Sequence, residues 1–411
     1  MTNPPQLRIG YLVSKYPAVS HTFILREAAA LRERGIAIDV ASINDPPPRN
    51  ELTEIERSEA DRTFYVKRQG AIGALNAAAW MAVHYPAGLF RGLRVALQLA
   101  GWDLARIVLC CFYLAEAAIL AKWLHQRGLT HLHVHFATPA ATVGLVLTHI
   151  APVTLSITVH GPDEFYDVTD YYLAQKIEAA RFVICISFFA QSQLMKLSPS
   201  KDWHKFDLAR LGVDCAHFTP RPLPSSSGPC QIVCVGRLVS TKGQHILIMA
   251  VERLIRAGRR IQLRFVGDGP HRRELEEMVR DRGLSGNILF QGAVNQDRIQ
   301  TYYDEADIFA LASFAEGIPV VLMEAMAMEI PCVASSINGI PELIQDGVEG
   351  LLVRPSDIEG LARALARLMD DPALRESLGK AGRQRVLASY ELSKSADHLA
   401  DVFRRRLEPT Q

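Results

Sequence analysis

The stretch "EGIPVVLMEAMAMEIP", residues 316–331, places two glutamates in an otherwise apolar segment. Glu316 and Glu324 stand eight positions apart, and the strand-like run IFALAS (308–313) lies shortly before them. A buried strand followed by a helix is the repeating unit of parallel α/β sheets. The stretch therefore predicts an α/β fold with two carboxylates near the carboxyl end of one strand.

The start of the helix predicted here is suited to a phosphate group. Pro319 stands at the first helical position, which tolerates a missing N–H. The amides of Val320 and Val321 are then expected to lack helical partners, and the positive end of the helix dipole favours an anion beside them. The two carboxylates would repel a diphosphate, so neutral sugar hydroxyls are better ligands for them.

A second segment supplies the positive charge that a phosphate site needs. In "VGRLVSTKGQ" (235–244) a strand ends at Val235, Arg237 and Lys242 flank a short loop, and a helix follows Gly243. Arginine can hold two phosphate oxygens, and lysine acts as a point charge. Because this segment and the glutamate segment both follow strands, we expect them at the same sheet edge.

Strand and helix patterns alternate through most of the chain, which predicts parallel sheets covered by helices. The predicted strands are 7–13, 38–43, 131–137, 155–161, 182–187, 231–237, 261–269, 287–292, 308–313, 331–336 and 349–355.

The Pro- and Ser-rich run "TPRPLPSSSGP" (219–229) reads as a linker. We therefore predict two Rossmann-like domains, residues 1–218 and 230–385, that face each other across a ligand-binding cleft. Residues 386–411 are expected to form a helix that packs back on the first domain.

Composition narrows the class of protein. The 411-residue chain has a formal net charge of +1, which does not indicate a nucleic-acid partner. Its seven cysteines include no C-x-x-C pair and fit a reducing cytosol better than a disulfide framework. The first residues, MTNPPQLRIGYLV, lack the pattern of a signal peptide, so a cytoplasmic location is expected.

Residues 69–125 are the most apolar part of the chain. No charged residue occurs between Arg68 and Arg91, although Asn76, His84 and Pro86 interrupt the run. A membrane-spanning helix needs about 20 unbroken apolar residues. We predict two or three helices buried in the domain, with peripheral contact at the inner face of the plasma membrane as the alternative.

The second half also resembles a known family. "VGRLVSTKGQ", "VGDGP" (266–270), "ADIFALASFAEGIPVVLMEAMAMEIPCVAS" (306–335) and "NGIPELIQDGVEGLLV" (338–353) look like the C-terminal half of retaining GT-B glycosyltransferases of family GT4. The spacing of Glu316 and Glu324 matches the family's E-x7-E signature. Glu329 stands where the similar EAMA-x-G-x-P pattern has glycine.

This resemblance implies roles for the residues singled out above. Arg237 and Lys242 would hold the donor diphosphate. Glu324 would bind the ribose hydroxyls, and Glu316 would reach hydroxyls of the transferred sugar. The family implies a GT-B fold and charge compensation by side chains and a helix dipole.

The first half is similar to bacterial exopolysaccharide and colanic-acid-type members of the family. The similar segments are "YPAVSHTFILREAAALRERGI" (16–36), "HLHVHFATPA" (131–140) and "TVHGPDEF" (158–165). His160 aligns with the family's active-site histidine, which contacts the donor sugar. His21 replaces the glutamate usual in that subgroup and receives no role, and the glycine-rich first loop of many members is absent.

Metal and cofactor patterns are missing from the sequence. It has no D-x-D motif that would indicate a metal-held diphosphate, and no G-x-G-x-x-G after the first strand that would indicate a dehydrogenase. His131, His133 and His135 alternate, so two of them are expected to share a face. Without an evident carboxylate or thiol partner, they are predicted to be core or strand-end histidines rather than zinc ligands.

These features predict a metal-independent, retaining glycosyltransferase without a cofactor. It would move a sugar from a UDP- or GDP-linked donor to a polysaccharide or lipid-linked glycan acceptor. Alternatives are a sugar-nucleotide epimerase or phosphorylase of the same fold, a non-catalytic nucleotide-sugar-binding subunit, and a membrane-anchored scaffold built on residues 69–125. The sequence leaves the sugar, the base and the acceptor open.

Overall fold

A computed structural model describes residues 7–18, 22–220 and 228–408. The chain divides into two compact units, one formed by Met1–Ala209 with Ala396–Gln411 and the other by Arg210–Ser395. The first change of unit therefore lies before the predicted boundary at 218/219. Most of the predicted linker, and also His21, lie outside the described residues.

The first unit is built on a seven-stranded sheet. Its strands are β1 (Arg8–Lys15), β2 (Ala37–Asn44), β3 (Phe64–Tyr65), β4 (His131–His135), β5 (Thr154–Val159), β6 (Phe182–Cys185) and β7 (Phe206–Leu208). Neighbouring strands are parallel, in the order β3-β2-β1-β4-β5-β6-β7. The order reverses beside β1, and ligands of such sheets bind at the carboxyl ends near this point.

Helices cover both faces of this sheet. They are α1 (Thr22–Glu33), α2 (Glu54–Arg62), α3 (Gly70–His84), α4 (Pro86–Ala100), α5 (Leu104–Arg127), α6 (Pro139–Ile150), α7 (Leu173–Ala179) and α8 (Phe188–Leu197). Residues of α5 and α6 form an apolar core with one face of the sheet. Residues of α1 form a second apolar core with the opposite face.

The second unit is built on a six-stranded parallel sheet. Its strands are β8 (Cys230–Val235), β9 (Ile261–Val266), β10 (Ile288–Phe290), β11 (Ile308–Leu311), β12 (Cys332–Ser335) and β13 (Leu351–Val353). Their order is β10-β9-β8-β11-β12-β13. Its helices are α9 (Gln244–Arg256), α10 (Arg272–Asp281), α11 (Gln296–Asp304), α12 (Val320–Ala327), α13 (Ile340–Leu343), α14 (Ile358–Asp370) and α15 (Pro372–Ser389).

The last helix, α16 (Leu392–Leu407), runs from the second unit into the first. Its apolar residues, among them Val402 and Phe403, belong to the same core as α1. Arg405 and Arg406 bind the two carboxylate oxygens of Asp207 at 2.8 and 2.7 Å. Helix α16 thus contributes to the core of the first unit.

The prediction of two parallel-sheet α/β domains is confirmed, and each predicted strand matches one in the structure. The sequence pattern missed β3 and β7, which have two and three residues. Such strands are too short for an apolar period to show.

The prediction of buried helices in residues 69–125 is wrong for α3. Only Ala77 and Met81 are buried among its 15 residues. In α5, by contrast, the buried residues concentrate in the second half, from Ala117 to Leu124. Among the described residues, α5 is the one helix whose length and hydropathy would allow it to cross a membrane.

We expect Glu329→Gly to raise the free energy of unfolding by up to about 1 kcal/mol, with activity kept. Glu329 follows α12 with φ of +59°, where a residue with a Cβ is strained by about 1 kcal/mol. The greater backbone freedom of glycine in the unfolded chain offsets part of the gain. Urea unfolding measures the difference.

Gln384→Gly, in the exposed interior of α15, is the matched control and should lose about 1 kcal/mol. A loss of activity in Glu329→Gly would give Glu329 a role in the site and contradict the strain interpretation.

Candidate functional site

The loop after β8 is held against the loop after β11 by backbone contacts. Gly243 has φ of +59°, and a Cβ there would lie 2.1 Å from the carbonyl oxygen of Ala312. The amide of Phe314 donates to the carbonyl of Thr241 at 2.8 Å. Glycine at 243 therefore allows a close approach between the two predicted site segments.

Lys242 and Glu316 meet in this contact although they are 74 positions apart. The Lys242 Nζ lies 2.6 Å from Glu316 Oε1, and the Ser313 hydroxyl donates to the same oxygen at 2.7 Å. The Glu316 side chain is 7% exposed and that of Lys242 is 20% exposed. The structure therefore joins the predicted phosphate cation to the predicted sugar-binding carboxylate in a nearly buried ion pair.

Arg237 follows the end of β8, as Lys242 does, but its side chain is exposed. Its carbonyl accepts a hydrogen bond from the Gln244 side chain at 2.7 Å, so the first turn of α9 holds the backbone of the loop. The next residue, Leu238, donates its amide to the carbonyl of Asp268 at 3.0 Å. A fixed backbone with an exposed guanidinium suits the recognition of a charged ligand from solvent.

The helix predicted after Glu316 is α12, which begins at Val320 with Pro319 as its cap. The amides of Val320 and Val321 belong to its first turn and have no acceptor within the helix. Both residues are partly exposed, while the residues from Leu322 onward are buried. The helix start therefore presents its positive dipole end at an accessible edge.

Glu324 lies one turn inside α12 and is only 1% exposed. The Tyr303 hydroxyl donates to Glu324 Oε2 at 2.9 Å and lies 3.3 Å from the carbonyl oxygen of Val321. Helical side chains lean toward the helix start, and Tyr303 fixes the carboxylate beside the first turn. Burial, together with the Glu324 charge, raises the pKa of Tyr303 well above its usual value, so Tyr303 stays a donor.

Tyr303 was missed by the sequence reasoning. It lies in the amphipathic helix α11, where its spacing indicates a core aromatic residue. No local motif marks its hydroxyl, because its partner is 21 positions away.

In the first unit, His160 follows β5 and is nearly buried. Its Nε2 lies 3.0 Å from His135 Nδ1, and His135 Nε2 lies 3.4 Å from Glu27 Oε1. The Tyr11 hydroxyl donates to the same Glu27 oxygen at 3.0 Å. Two neutral imidazoles can share one proton across the first contact, so the tautomer of His160 depends on that of His135.

A buried glutamate fixes the backbone on which His160 stands. Glu164 Oε2 accepts the amides of His160 at 2.6 Å and Gly161 at 2.8 Å, and Oε1 accepts the amide of Ala137. Burial raises the pKa of Glu164, while these three N–H donors and the charge of Lys176 act in the opposite direction.

Lys176, also fully buried, donates to the carbonyls of Ala137 and Thr138 at 2.8 and 2.9 Å. Glu164 and Lys176 therefore connect the turn after β4 to the turn after β5. Glu164 stands three residues after Gly161, a capping spacing that could have indicated its role, whereas nothing in the sequence marks Lys176.

The three histidines of β4 are all buried, as predicted for core histidines. They stand at alternate positions and therefore share one face of the strand, so the expectation that only two do is wrong. His131 and His133 bind the hydroxyls of Thr154, Ser156 and Thr158. Burial lowers the pKa of His131 to about 3, and among the described residues no group of three metal-binding side chains occurs.

A cavity of about 460 Å³ lies at the carboxyl ends of β1 and β2. Its polar side is formed by Ser14, Asn44, Lys67 and Glu116, and the Lys67 ammonium donates to Asn44 Oδ1 at 2.8 Å. Its apolar wall is formed by Ile43, Leu109, Phe112, Tyr113, Pro139, Ala140 and Val143. The sequence reasoning did not locate this cavity, because its walls come from five separate elements.

Glu27→Gln is expected to flatten the pH dependence of folding stability. Burial raises the pKa of Glu27 from 4.5 to about 7, so the folded protein holds a proton that the unfolded chain loses first. This contribution to stability is complete below pH 4.5 and is lost as the pH rises through about 7, a change of about 3 kcal/mol. Glutamine cannot ionise and should not show the loss.

Urea unfolding at several pH values between about 4 and 8 checks this prediction. Glu33→Gln is the control, because Glu33 lies on the same helix and is exposed. It should keep the pH dependence of the unchanged protein. Equal pH dependence in Glu27→Gln and the unchanged protein would show that Glu27 is ionised throughout this range.

Comparison with known proteins locates the second unit within a sequence family. Residues 218–385 match the family model described as glycosyl transferases, group 1. WcaL of Escherichia coli K12, assigned as a colanic acid biosynthesis glycosyltransferase, is 26% identical over 375 residues, which cover 88% of this chain and 90% of WcaL. AmsK of Erwinia amylovora, an amylovoran biosynthesis glycosyltransferase, is 32% identical over 53% of this chain and 57% of AmsK.

Solved structures share the fold over almost the whole chain. HepE of Anabaena, solved in complex with UDP and glucose, has a TM-score of 0.74 and 19% identity. The match covers 97% of this chain and 100% of HepE. At 19% identity, the similarity to HepE shows that the two chains share a fold and shows nothing about their ligands.

Proposed function

Because this chain is a glycosyltransferase of the GT4 type with a GT-B fold, we propose that it transfers a sugar from a nucleoside diphosphate sugar to a glycan or glycolipid acceptor. The donor is UDP- or GDP-linked. The anomeric configuration is retained, and neither a metal ion nor a cofactor is needed. The reaction belongs to the synthesis of exopolysaccharide, in keeping with the names of WcaL and AmsK. Its proposed place is the cytoplasmic side of the membrane.

One observation carries the proposal. The Lys242–Glu316 ion pair, at 2.6 Å, brings a cation and a carboxylate together where two neighbouring strands, β8 and β11, end. A site for a sugar diphosphate needs both kinds of group, since phosphate oxygens are bound by cations and hydroxyls by carboxylates. The exposed Arg237 and the start of α12 add positive potential at the same edge.

These groups act on the leaving diphosphate. Negative charge develops on its oxygen as the bond to the sugar breaks, and preorganised cations and amides lower the energy of that state. We assign this role to Arg237, Lys242 and the amides of Val320 and Val321. The acceptor hydroxyl attacks from the same face and gives its proton to the leaving phosphate, so the configuration is retained without a protein nucleophile.

Each of the two glutamates binds a different sugar of the donor. Glu324, fixed by Tyr303 beside the first turn of α12, accepts the ribose hydroxyls. Glu316, which precedes the helix, accepts hydroxyls of the transferred sugar. His160 contacts that sugar with a ring whose backbone and Nε2 are both fixed.

The cavity of the first unit is assigned to the acceptor. Its polar side can bind hydroxyl or phosphate groups, and its apolar wall can take a hydrocarbon chain. This combination suits a glycan joined to a lipid better than a free polysaccharide.

A donor panel tests the function. Thermal unfolding of the full chain with UDP- and GDP-linked sugars should show a shift for one nucleotide, because a bound ligand stabilises the folded state by mass action. With the matching donor and a glycolipid acceptor, nuclear magnetic resonance should show a product with the donor's anomeric configuration, and EDTA should leave the rate unchanged.

The results separate this function from its alternatives. Donor binding without transfer would favour a binding subunit, and conversion of the donor without acceptor would favour an epimerase. Loss of activity in EDTA that Mg²⁺ restores would contradict a metal-independent reaction.

A further inference from the structure

The exposed apolar side chains of this protein concentrate in one short segment. Of the 19 large hydrophobic residues that are exposed in the described part of the chain, 11 lie between residues 72 and 112, about a tenth of the chain. A soluble surface normally carries such side chains singly. The concentration indicates a surface that is covered in use.

Each of three consecutive helices contributes a stripe of these side chains. We call these 11 side chains the apolar face. They are Ile72, Leu75 and Val83 on α3; Phe90, Leu93 and Leu97 on α4; Trp102 between α4 and α5; and Leu104, Val108, Leu109 and Phe112 on α5. Most members of a stripe are three, four or eight residues apart, which places them on one side of their helix.

Small residues on the opposite side of α4 let it pack closely within the unit. Gly88 and Gly92 approach Ile150 so closely that a Cβ on either would lie within 2.3 Å of it. The orientation of α4 is therefore fixed by packing, and Phe90, Leu93 and Leu97 point away from the buried side. Their exposure is a property of the folded unit.

The charge around the apolar face is mainly basic, although Asp103 at the start of α5 is also exposed. No aspartate or glutamate occurs between Thr63 and Trp102, whereas Lys67, Arg68, Arg91 and Arg94 do. Arg94 is exposed and lies within one helical turn of Phe90 and Leu97. A basic amphipathic surface with an exposed tryptophan fits the interface of an anionic bilayer.

We propose that α3, α4 and the first half of α5 dock this protein on an anionic lipid surface. The apolar face enters the boundary between headgroups and acyl chains, and the arginines pair with lipid phosphates. The second half of α5 is packed in the core, so this helix lies at the surface of the bilayer and does not cross it.

The docking surface continues into the cavity of the first unit. Leu109 and Phe112 belong to the apolar face and also line the cavity. A lipid in the bilayer could therefore reach the cavity along α5 without crossing water. The docking itself goes beyond the proposed transfer reaction and does not depend on it.

Vesicle co-sedimentation of the full chain without donor tests the docking. The unchanged protein should pellet with vesicles of phosphatidylcholine and phosphatidylglycerol, less with phosphatidylcholine alone, and less in about 0.5 M salt. Ile72→Glu and Phe90→Glu should each weaken binding by about ten-fold or more, because a charge enters the apolar layer. Ile55→Glu, at a comparably exposed position on α2, is the control and should bind normally.

A charge variant supplies an independent readout. Arg94→Glu should weaken binding to anionic vesicles by at least about five-fold and reduce the dependence on salt. Arg273→Glu, an exposed arginine on α10, should change neither. Circular dichroism and thermal unfolding show whether each variant is folded, and both arginines are replaceable surface residues.

Two results would overturn the proposal. One is binding of Ile72→Glu and Arg94→Glu to anionic vesicles as tight as that of the unchanged protein, or no vesicle binding at all. The other is a dimer in solution that Phe90→Glu dissociates and that does not bind vesicles, which would make a second copy of this chain the occupant. Donor hydrolysis in solution is measured in parallel, so loss of docking is distinguished from failure of the proposed chemistry.

Discussion

Alanine at Lys242 or at Arg237 is expected to lower the rate of sugar transfer by about ten- to a thousand-fold, the range found when one stabilising charge is removed from a developing oxyanion. Both variants should also bind the nucleoside diphosphate more weakly. Binding of the nucleoside without phosphate should be unchanged, because neither cation is assigned to the ribose or the base. Initial rates and isothermal titration measure these effects.

The two variants differ in their expected stability. Arg237 is exposed, so its replacement should leave thermal unfolding unchanged. Replacing Lys242 leaves the nearly buried Glu316 carboxylate without its cation, which is expected to destabilise the fold. Arg273→Ala, a surface change on α10, is the control for both. Near-normal transfer in both variants would remove the diphosphate role.

The second large effect concerns the two glutamates. Glu324→Gln is expected to raise the dissociation constant of the nucleoside diphosphate about ten-fold or more, since a hydrogen bond to a carboxylate contributes roughly 1.5–3 kcal/mol. Glu316→Gln should lower turnover by about a hundred-fold or more while diphosphate binding stays equal or becomes tighter. The tighter binding follows from the ion pair, because glutamine no longer neutralises Lys242.

Two conservative variants control this comparison. Tyr303→Phe removes the hydroxyl that fixes Glu324, and Ser313→Ala removes the hydroxyl that binds Glu316, while both carboxylates remain. Each should reproduce a small part of the effect of its glutamate variant. Equal weakening of diphosphate binding by Glu316→Gln and Glu324→Gln would show that the pair is not divided between sugar and ribose.

The architecture could be predicted from the sequence because its signals are local. Apolar runs such as QIVCVGR and IFALAS, each followed by a helical pattern, indicate parallel sheets by themselves. The end of β8 at Val235 was placed correctly, and α12 begins at Val320, one residue after the start that Pro319 predicted.

The partners within the site could not be predicted, because they depend on distant parts of the chain. Lys242 was expected to bind the donor diphosphate, and its ion pair with Glu316 depends on the approach of Gly243 to Ala312. The contacts of the buried carboxylates Glu27 with His135 and Glu164 with Ala137 depend on strand order rather than sequence spacing. The exposure of α3 could not be predicted from the sequence either, because its apolar composition alone indicates a buried helix.

The path of α16 has a consequence for how the protein is made. The strands β1 to β7 emerge from the ribosome before the second unit, but the core that contains Val402 and Phe403 stays open until α16 has been synthesised. The first unit is therefore completed only after the second, and the second unit folds while the first still exposes apolar surface. A truncation after Glu391 would remove no strand of either sheet, yet its damage would fall on the amino-terminal half of the protein.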